Sequence, residues 1–348
     1  MRYQCFICVS LLFSLQVQAA PETPVPVTVD NFVRAETDMT FANTVKKDGL
    51  GKLEHQRNMA SIDEQPIVRM NRDTLYSMGV YDLEAGPVTI TLPDVGKRYM
   101  SMAGISQDHY VDEMVHGPGM KTYTQKDVGT RYMAVAIRTL ADPNSAQDMK
   151  EARAAQDKIT VEQKAVGTFE IPKWDTASLT KVRNLLKQLS AMKGTTFTDA
   201  FGKKSEVNPV AHLLGTAAGW GGNPKSESIY TSVSPKDNSG KTAYRLTVGD
   251  VPVEAFWSIS VYNAAGYFEK NKAGAYSVNS LTAKKNSDGK VTVQFGECSD
   301  RVMNCLPIMK GWSYTVRMYK PKEELMKGQW TFPEAEPISS RKNLSQLQ

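Results

Sequence analysis

The chain of 348 residues carries 42 lysines and arginines and 37 aspartates and glutamates, which leaves a net charge of +5. Because the basic residues are scattered singly rather than clustered, the sequence gives no support to binding of nucleic acid or of a membrane surface. The length favours two domains at about 150 residues per domain, each with room for its own core.

The first 20 residues have the pattern of a secretory signal peptide. Arg2 supplies the basic start, an apolar run from Phe6 to Leu15 follows, and small residues end the segment at Ala19 and Ala20. This run is shorter than a membrane span, and no later run approaches the roughly 20 residues that a spanning helix needs, so a membrane anchor is the weaker alternative. We therefore expect a periplasmic or secreted protein, cleaved near Ala19 or Ala20.

Residues 21–170 are predicted to form an N-terminal β-rich domain that opens with a helix. Apolar residues recur three and four positions apart between residues 27 and 61, and Asp30 is the predicted N-cap. From Pro66 the period changes to two, which predicts strands. Four such segments, expected to pair as an antiparallel meander over residues 66–140, are LYSMGVYDL, VTITLPD, YMSMAGIS and RYMAVAIRTL. A helix in NSAQDMKEARAAQDKI and a strand in VGTFEIP complete the domain.

Residues 171–222 are predicted to be a helical connecting segment. The first helix, DTASLTKVRNLLKQLSAM, has Asp175 as its predicted cap and a single apolar face. The residues of that face are Leu179, Val182, Leu185, Leu186, Leu189 and Met192. A second helix, PVAHLLGTAAG, ends in a glycine-rich turn.

Residues 223–348 return to strand patterns and are predicted to form a C-terminal β domain. The predicted strands, separated by turns such as that at residues 286–289, are AYRLTVG, AFWSISVYN, YSVNSL, KVTVQFG and SYTVRMYKP. The whole chain is therefore predicted to be mainly β with a helical middle segment, an α+β arrangement.

Two cysteines, Cys298 and Cys305, remain once the predicted signal peptide is removed. An even pair in an oxidising compartment predicts a disulfide, and closing so short a loop stabilises the fold by about 2.5 kcal/mol in the chain-entropy model. Zinc ligation is the alternative, but two thiols without a nearby histidine leave a tetrahedral site two ligands short. The spacing of these two cysteines is not that of a Cys-x-x-Cys redox motif.

The order of several short motifs along the chain resembles a two-part bacterial exported family. The motifs are NRDTLYS, LPD, RTL, NPVAHLLGTAAGWGG, FWSISVYNAAGYF, NCLP and VRMYKP. The halves of that family are domains of unknown function, 1254 at the N-terminus and 1214 at the C-terminus, and the resemblance covers nearly the whole mature chain. It implies two β-sandwich or jelly-roll-like domains with intervening helices, and it carries over no activity. Where such proteins often read Asn-Trp-Leu-Pro, this chain has Asn304-Cys305-Leu306-Pro307, which favours the disulfide.

Polar residues crowd into the segment before the first predicted strand of the N-terminal domain. Asp73 beside Arg72, with Asn71 and Tyr76 near, has the residue types of a general base or of a ligand clamp. The structural alternative is that Asn71 and Asp73 bond the backbone of a turn. The turn is favoured over catalysis and is as well supported as ligand contact, and Asp73 is the first catalytic candidate.

A second group of candidate residues comes from a charged loop and from the helical connecting segment. His212, on a short apolar helix, is the second catalytic candidate, although a core histidine is the favoured alternative. His109 and Tyr110 in the loop and Trp220 in the glycine-rich turn complete the predicted ligand-binding set. The carboxylates around His109 and His116 suggest a metal site, but no His-x-x-x-His spacing supports it, so neither a metal nor a cofactor is predicted.

The sequence has no Gly-x-Ser-x-Gly motif of a serine hydrolase, and its glycine-rich turn lacks the Lys-Ser/Thr of a phosphate loop, so neither serine-hydrolase chemistry nor nucleotide binding is supported. Five aromatic residues, Trp220, Trp257, Tyr262, Tyr267 and Phe268, form either a platform for a flat ligand or part of the core, and the core is favoured.

These patterns favour an exported two-domain protein that binds a small molecule or glycan in a cleft between its domains. The alternative is a periplasmic hydrolase or lyase that uses Asp73 with a tyrosine or a histidine. Neither a nucleic acid nor a membrane is an expected partner, and a homo-oligomer is left open.

Overall fold

The computed structural model describes residues 23–65, 68–192 and 199–338. The predicted signal peptide, residues 1–20, lies outside the described residues. Within them the chain is mainly β with a helical middle segment, as the sequence predicts. The helices are α1 Phe32–Lys46, α2 Gln125–Val128, α3 Ala146–Asp157, α4 Thr176–Ser190, α5 Pro209–Gly219 and α6 Glu323–Met326. The strands are β1 Glu54–His55, β2 Thr74–Asp82, β3 Val88–Leu92, β4 Met100–Ser106, β5 Val115–His116, β6 Gly119–Tyr123, β7 Tyr132–Leu140, β8 Thr160–Gln163, β9 Ser228–Val233, β10 Tyr244–Val248, β11 Trp257–Tyr262, β12 Ser277–Asn279, β13 Val291–Phe295, β14 Cys305–Leu306, β15 Ser313–Tyr319 and β16 Glu336–Pro337.

Two sheets of the N-terminal half pack face to face. The larger sheet has the strand order β1-β2-β7-β4-β5, and the smaller sheet has the order β6-β3-β8. Because successive strand residues point to opposite faces, the larger sheet sends Tyr81, Met102 and Val135 inward against Val88 and Ile90 of β3. The other face of the larger sheet is left to contact the rest of the chain.

The predicted antiparallel meander over residues 66–140 is wrong in its connectivity. β7 pairs with β2 along nine residues and lies between β2 and β4. β3 leaves this sheet and pairs with β6 and β8 instead. A turn that ends at Gly86, with φ +128°, redirects the chain after β2. Pairing between strands distant in sequence therefore replaces pairing with the next strand.

Two local predictions in the N-terminal half are also wrong. Asp30 is not the cap of α1, because Asn31 occupies the N-cap position and its side chain accepts a hydrogen bond from the Thr28 amide instead of from the helix. The segment VGTFEIP, residues 166–172, contains no strand, since β8 comes earlier in the chain and pairs with β3.

The helices of the connecting segment pack with α1 around a separate small core. Asp175 is the N-cap of α4, as predicted, and accepts a hydrogen bond from the Ser178 amide. Leu179 and Leu186 are buried in this core, whereas Met192 at the end of the predicted apolar face is 63% exposed. Only part of that face is therefore covered. Among the residues that the structure describes, no helix is both long and apolar enough to cross a membrane.

The C-terminal half is a second pair of sheets, with strand orders β12-β11-β15-β9 and β14-β13-β10-β16. Apolar side chains from both sheets, among them Ile259, Val316, Val293 and Phe295, fill the space between them. The predicted disulfide is confirmed: Cys298 bonds to Cys305, the first residue of β14.

Candidate functional site

A row of polar side chains crosses the outer face of the larger N-terminal sheet. The register of β2, β7, β4 and β5 places Tyr76, Arg138, Ser101 and His116 side by side. Residues opposite each other on neighbouring strands point to the same face, so these four side chains share the face that is turned away from the N-terminal core.

The C-terminal half presents a matching polar row. The register of β11, β15 and β9 places Ser258, Arg317 and Tyr230 side by side. The residues between them in sequence, such as Ile259 and Val316, point into the C-terminal core. The polar row therefore lies on the outer face of its own sheet.

The two polar rows face each other, and we call the region between them the junction. Asp73 accepts a hydrogen bond from Ser258 Oγ at 2.6 Å, and Asn71 Nδ2 donates to Tyr319 OH at 2.6 Å. The ring of Tyr99 packs against that of Tyr319 with centroids 5.7 Å apart. These contacts bind the two halves of the chain through polar and aromatic groups.

Asp73 makes the predicted turn interaction and a second contact across the junction. Its amide donates to Asn71 Oδ1 at 2.6 Å, which is the turn interaction, while its carboxylate reaches across the junction. The side chain is 1% exposed, and Oδ1 has no hydrogen-bond partner among the described residues. Burial raises the pKa of Asp73 above its ordinary value, opposed by the charge of Arg317 and by the hydrogen bond from Ser258.

The Arg138 guanidinium lies at the centre of the N-terminal polar row. Its Nη2 donates to the Gly221 carbonyl at 2.6 Å, and the group lies over the Tyr76 ring, 5.4 Å from the centroid. Although the residue is only 7% exposed, Nη1 has no acceptor with hydrogen-bond geometry among the described residues. Arg138 is therefore a buried cation whose Nη1 donor lacks an acceptor within the described part of the chain.

The Arg317 guanidinium, on the opposite side of the junction, donates hydrogen bonds through both terminal nitrogens. Nη1 donates to Ser260 Oγ at 3.0 Å, and Nη2 donates to the Arg69 carbonyl at 2.8 Å and to Tyr262 OH at 2.6 Å. Arg69 in turn donates to Thr315 Oγ1 at 3.1 Å. This network holds the segment before β2 against the C-terminal sheet.

A pocket of about 220 Å³ opens at the edge of the junction. Both halves line it: Tyr99 and His116 come from the N-terminal half and Phe256 from the C-terminal half. His116 Nε2 lies 2.8 Å from a carboxylate oxygen of Glu227, which fixes the orientation of the ring. Tyr99 connects this pocket to the polar row, because its ring lines the pocket while its buried hydroxyl lies near Ser101.

Polar atoms without partners concentrate in the junction. Of the eleven buried side-chain nitrogens and oxygens that lack a hydrogen-bond partner within the described parts of the chain, six lie there. They are Asp73 Oδ1, Thr74 Oγ1, Tyr99 OH, Ser101 Oγ, Arg138 Nη1 and Asn223 Oδ1. The Tyr99 and Ser101 hydroxyls interact electrostatically without hydrogen-bond geometry. Buried polar atoms are normally paired with protein, water or ligand, so these six atoms mark the junction as a place where a polar partner can bind.

The histidines of the predicted set form a separate cluster beneath α5. His109 stacks on Trp220 with centroids 5.0 Å apart, and Tyr110 stacks on His212 at 4.8 Å. Within the described residues no hydrogen bond or ring contact joins these four side chains to Asp73. Among the described residues, Gly221 connects the cluster to the junction, because its amide donates to His109 Nε2 and its carbonyl accepts from Arg138.

His109 is held as a neutral ring. Because Nε2 accepts from the Gly221 amide at 2.8 Å, the proton is on Nδ1, which donates to Thr216 Oγ1 at 2.8 Å. Burial, followed by the nearby His212, holds the pKa of His109 well below its ordinary value. With no exposed surface and both nitrogens occupied, His109 has the contacts of a structural residue.

His212 also has both ring nitrogens engaged, by the Ala200 and Asp108 carbonyls at 2.9 and 3.0 Å. Both carbonyls are acceptors, so a neutral ring satisfies one of them and a protonated ring satisfies both. The side chain is 5% exposed. These contacts match the core histidine that was the favoured alternative for this residue.

The remaining candidates are dispersed. Arg72 points away from the junction, with Nη1 on the Ala60 carbonyl and the guanidinium over the Tyr276 ring at 5.2 Å. Trp257 belongs to the C-terminal core and Phe268 is also buried. Tyr262 is the aromatic residue of this set that reaches the junction, through its hydroxyl.

Sequence reasoning missed Arg138, Arg317 and Ser258. One signal was available, because Arg138 and Arg317 are lone charges inside runs that otherwise read as fully buried strands, YMAVAIRTL and SYTVRMY. A charge in such a run needs a partner on the outer face of its sheet. In the portions of the chain that the structure describes, no group of three or more His, Cys, Asp or Glu side chains is arranged to hold a metal ion.

Comparison with protein families assigns both halves of the chain. Residues 50–163 match the family described as "Protein of unknown function (DUF1254)", and residues 229–323 match "Protein of unknown function (DUF1214)". Among curated proteins, none is similar enough in sequence to count as a match.

Two solved structures align with most of this chain. The VPA0106 protein from Vibrio parahaemolyticus aligns with a TM-score of 0.67 and 17% identity over 89% of this chain and 97% of its own. An uncharacterized protein from Burkholderia cenocepacia aligns with a TM-score of 0.48 and 14% identity over 84% of this chain and 86% of its own. At 17% identity the first of these comparisons shows a common fold alone.

Proposed function

This chain belongs to the protein family in which DUF1254 precedes DUF1214, and we propose that it binds a small polar molecule or glycan where these two halves meet. The observation that carries the proposal is the concentration of unpaired buried polar atoms between the two sheets. A ligand with hydroxyl or charged groups supplies the missing partners when it enters between the sheets.

The neighbouring pocket supports this location. It is lined by residues from both halves, including Tyr99, whose hydroxyl belongs to the unpaired set. Ligand sites form preferentially where domains meet, because each domain supplies one wall. The proposal therefore assigns the pocket as the entrance and the polar rows as the binding surface.

We further propose that the protein acts outside the cytoplasm. The basic, apolar and small-residue order at the N-terminus supports export, and the Cys298–Cys305 disulfide is of the kind that persists in oxidising compartments. Mass spectrometry of the native protein should detect a chain that begins near Ala20 or Pro21, and a retained Met1 would contradict the export of this chain by cleavage.

A thermal-shift screen against periplasmic metabolites and neutral and acidic sugars tests the binding function. A ligand bound at 100 times its Kd stabilises the folded protein by about 2.7 kcal/mol, which raises the melting temperature measurably. Tyr99→Phe, which deletes an unpaired hydroxyl, should reduce the shift. Val29→Ala, an exposed position outside the junction, is the control that should leave it unchanged. Shifts insensitive to every junction substitution would place binding elsewhere.

A second candidate is a hydrolase or lyase that uses Asp73 with a tyrosine or a histidine. One observation favours it: Asp73 is a carboxyl with a raised pKa and an unpaired oxygen, and its charge contributes to raising the pKa of the buried Tyr319, for which burial is the larger cause. Replacing Asp73 by Asn separates the candidates. A binding protein should lose affinity by a modest factor, whereas an enzyme that uses Asp73 as its base should lose orders of magnitude in rate.

A further inference from the structure

Guanidinium groups outnumber carboxylates in the junction. Among the described residues of the two polar rows and their bonded neighbours, the arginines are Arg69, Arg138 and Arg317, and the acidic residues are Asp73 and Glu227. Among the described residues, none of the three arginines forms an ion pair, which means that no carboxylate oxygen lies within 4 Å of their side-chain nitrogens. Asp73 offsets part of the charge of Arg317 without an ion pair, and three arginines against two acidic residues leave an excess of positive charge.

Arg138 is the arginine whose hydrogen bonds are incomplete. Arg317 donates to four oxygens and Arg69 donates to Thr315, and neither has a buried side-chain nitrogen without a partner among the described residues. Arg138 donates to the Gly221 carbonyl and interacts with the nearby Tyr76 side chain, but its Nη1 has no acceptor with hydrogen-bond geometry among the described residues although the residue is only 7% exposed. A buried cation without a counter-charge is costly, and an ionised acceptor is the partner that offsets this cost best.

The groups around Arg138 extend the donor set. Ser101 lies directly opposite Arg138 on β4, and its hydroxyl and that of Tyr99 are both without partners. Asn223 Oδ1 is an unpaired acceptor in the same region, since its Nδ2 is taken by Ser228. Donors for an acidic group and an acceptor for a hydroxyl are therefore present together.

Resting on the binding function proposed above, we propose that the ligand is an acidic sugar or a similar hydroxylated anion, whose carboxylate or phosphate oxygen accepts from Arg138 Nη1. Tyr99 and Ser101 donate to the same acidic group, and Asn223 accepts from a ligand hydroxyl. Because Arg138 Nη1 is closed off from solvent, the ligand reaches it when the Tyr99 side chain moves from the wall between the pocket and the polar row.

Glucuronate, glucose 6-phosphate and glucose form a matched series of probes that differ in the acidic group. Each is added to the intact chain at equal concentration, with ionic strength matched by sodium chloride, and the melting temperature is measured. We expect at least one acidic probe to raise it by about 2–4 °C near saturation and glucose to raise it less. The comparison of glucuronate with glucose 6-phosphate tells a carboxylate from a phosphate.

Arg138→Gln tests the assigned contact. It should keep its fold by circular dichroism and weaken binding of the acidic probe at least about tenfold in calorimetry, since a charge-assisted hydrogen bond is lost. Arg245→Gln removes an exposed arginine on β10 and should bind like the unaltered chain. Tyr99→Phe deletes a hydroxyl that has no hydrogen-bond partner among the described residues, so this variant should fold. It should weaken binding of the acidic probe several-fold. This second variant tests the inference even if Arg138→Gln fails to fold.

The outcomes separate this inference from the function on which it rests. Glucose binding as tightly as the acidic probes, with sensitivity to Tyr99→Phe, would overturn the anionic class and retain binding at the junction. Acidic probes that change the melting temperature no more than sodium chloride does would overturn the inference. Acidic probes that bind Arg138→Gln and Tyr99→Phe as tightly as they bind the unaltered chain would overturn it too. A wider screen that finds no junction-dependent ligand would overturn the proposed function as well.

Discussion

The carboxyl group of Asp73 is buried, and burial disfavours its charged form. This effect outweighs the charge of Arg317 and the hydrogen bond from Ser258, so the pKa of Asp73 is raised above 3.8. A raised pKa means that the folded protein holds the proton more tightly than the unfolded chain does. Stability is therefore lost as the pH rises from 3.8 through the folded pKa. We expect Asp73→Asn to be more stable than the unaltered chain at pH 7, with the difference vanishing below pH 3.8, in denaturant titrations across this range.

Asp237 provides the matched control for this experiment. Hydrogen bonds from Thr242 and Ser239 lower its pKa, so its charge favours the folded state and Asp237→Asn should lose stability at neutral pH. An Asp73→Asn protein that is less stable than the unaltered chain at pH 7 would show that Arg317 and Ser258 outweigh burial.

The contribution of His109 to folding stability should depend on pH in the opposite direction. Its folded pKa lies well below the ordinary 6.5, so the contribution of this residue is complete above pH 6.5 and is lost as the pH falls below that value. Its ring signals in an NMR titration should stay those of a neutral imidazole with the proton on Nδ1 below pH 6.5. A normal titration midpoint for these signals would show that the ring is not enclosed by Thr216 and Gly221.

At the scale of single residues, the sequence singles out Asp73 but not its environment. The residue types around Asp73 suggested a clamp or base, yet its hydrogen-bond partner Ser258 lies 185 positions away. No local pattern encodes such a contact, because it depends on how two folded halves meet. The pairing of Cys298 with Cys305 was predictable because those residues are close in sequence and chemically matched.

The contribution of the α5 N-cap to the free energy of unfolding can be measured with a single substitution. Asn208 Oδ1 accepts from the amides of Val210 and Ala211, both at 3.0 Å. We expect Asn208→Ala to lower the free energy of unfolding by about 0.5–2 kcal/mol, the usual range for a lost cap. Asn31→Ala at the same position of α1 should cost less, because that side chain bonds Thr28 instead of the helix. Equal losses would show that the cap bonds are unimportant.

The existence of most elements followed from local patterns, whereas their arrangement did not. The leucine spacing predicted α4 together with its cap at Asp175, and alternating or continuous apolar runs predicted β2, β4, β7, β11 and β15. The predicted strand order was wrong because β2 and β4 both pair with β7, although β5 and β6 come before β7 in the chain. Periodicity reports which face of an element is buried and says nothing about its neighbour.

For the molecule as a whole, the disulfide constrains the C-terminal half. Replacing Cys298 and Cys305 together by serine should lower the free energy of unfolding by about 2.5 kcal/mol, since the unfolded chain regains the freedom of the short loop. Denaturant unfolding with and without a reducing agent measures the same quantity on the unaltered chain. A reduced protein of unchanged stability would show that β14 already holds this loop in place.

The hydrogen bonds that cross the junction also constrain how the sequence can evolve. Asp73 depends on Ser258, and Asn71 on Tyr319, so each half carries side chains whose usefulness is decided by the other half. A substitution at one member of such a pair should be accompanied by a compensating substitution at its partner across the aligned members of the family. Exchange of one half for that of a distant relative should break these pairs, and the two halves are therefore expected to have been inherited as a unit.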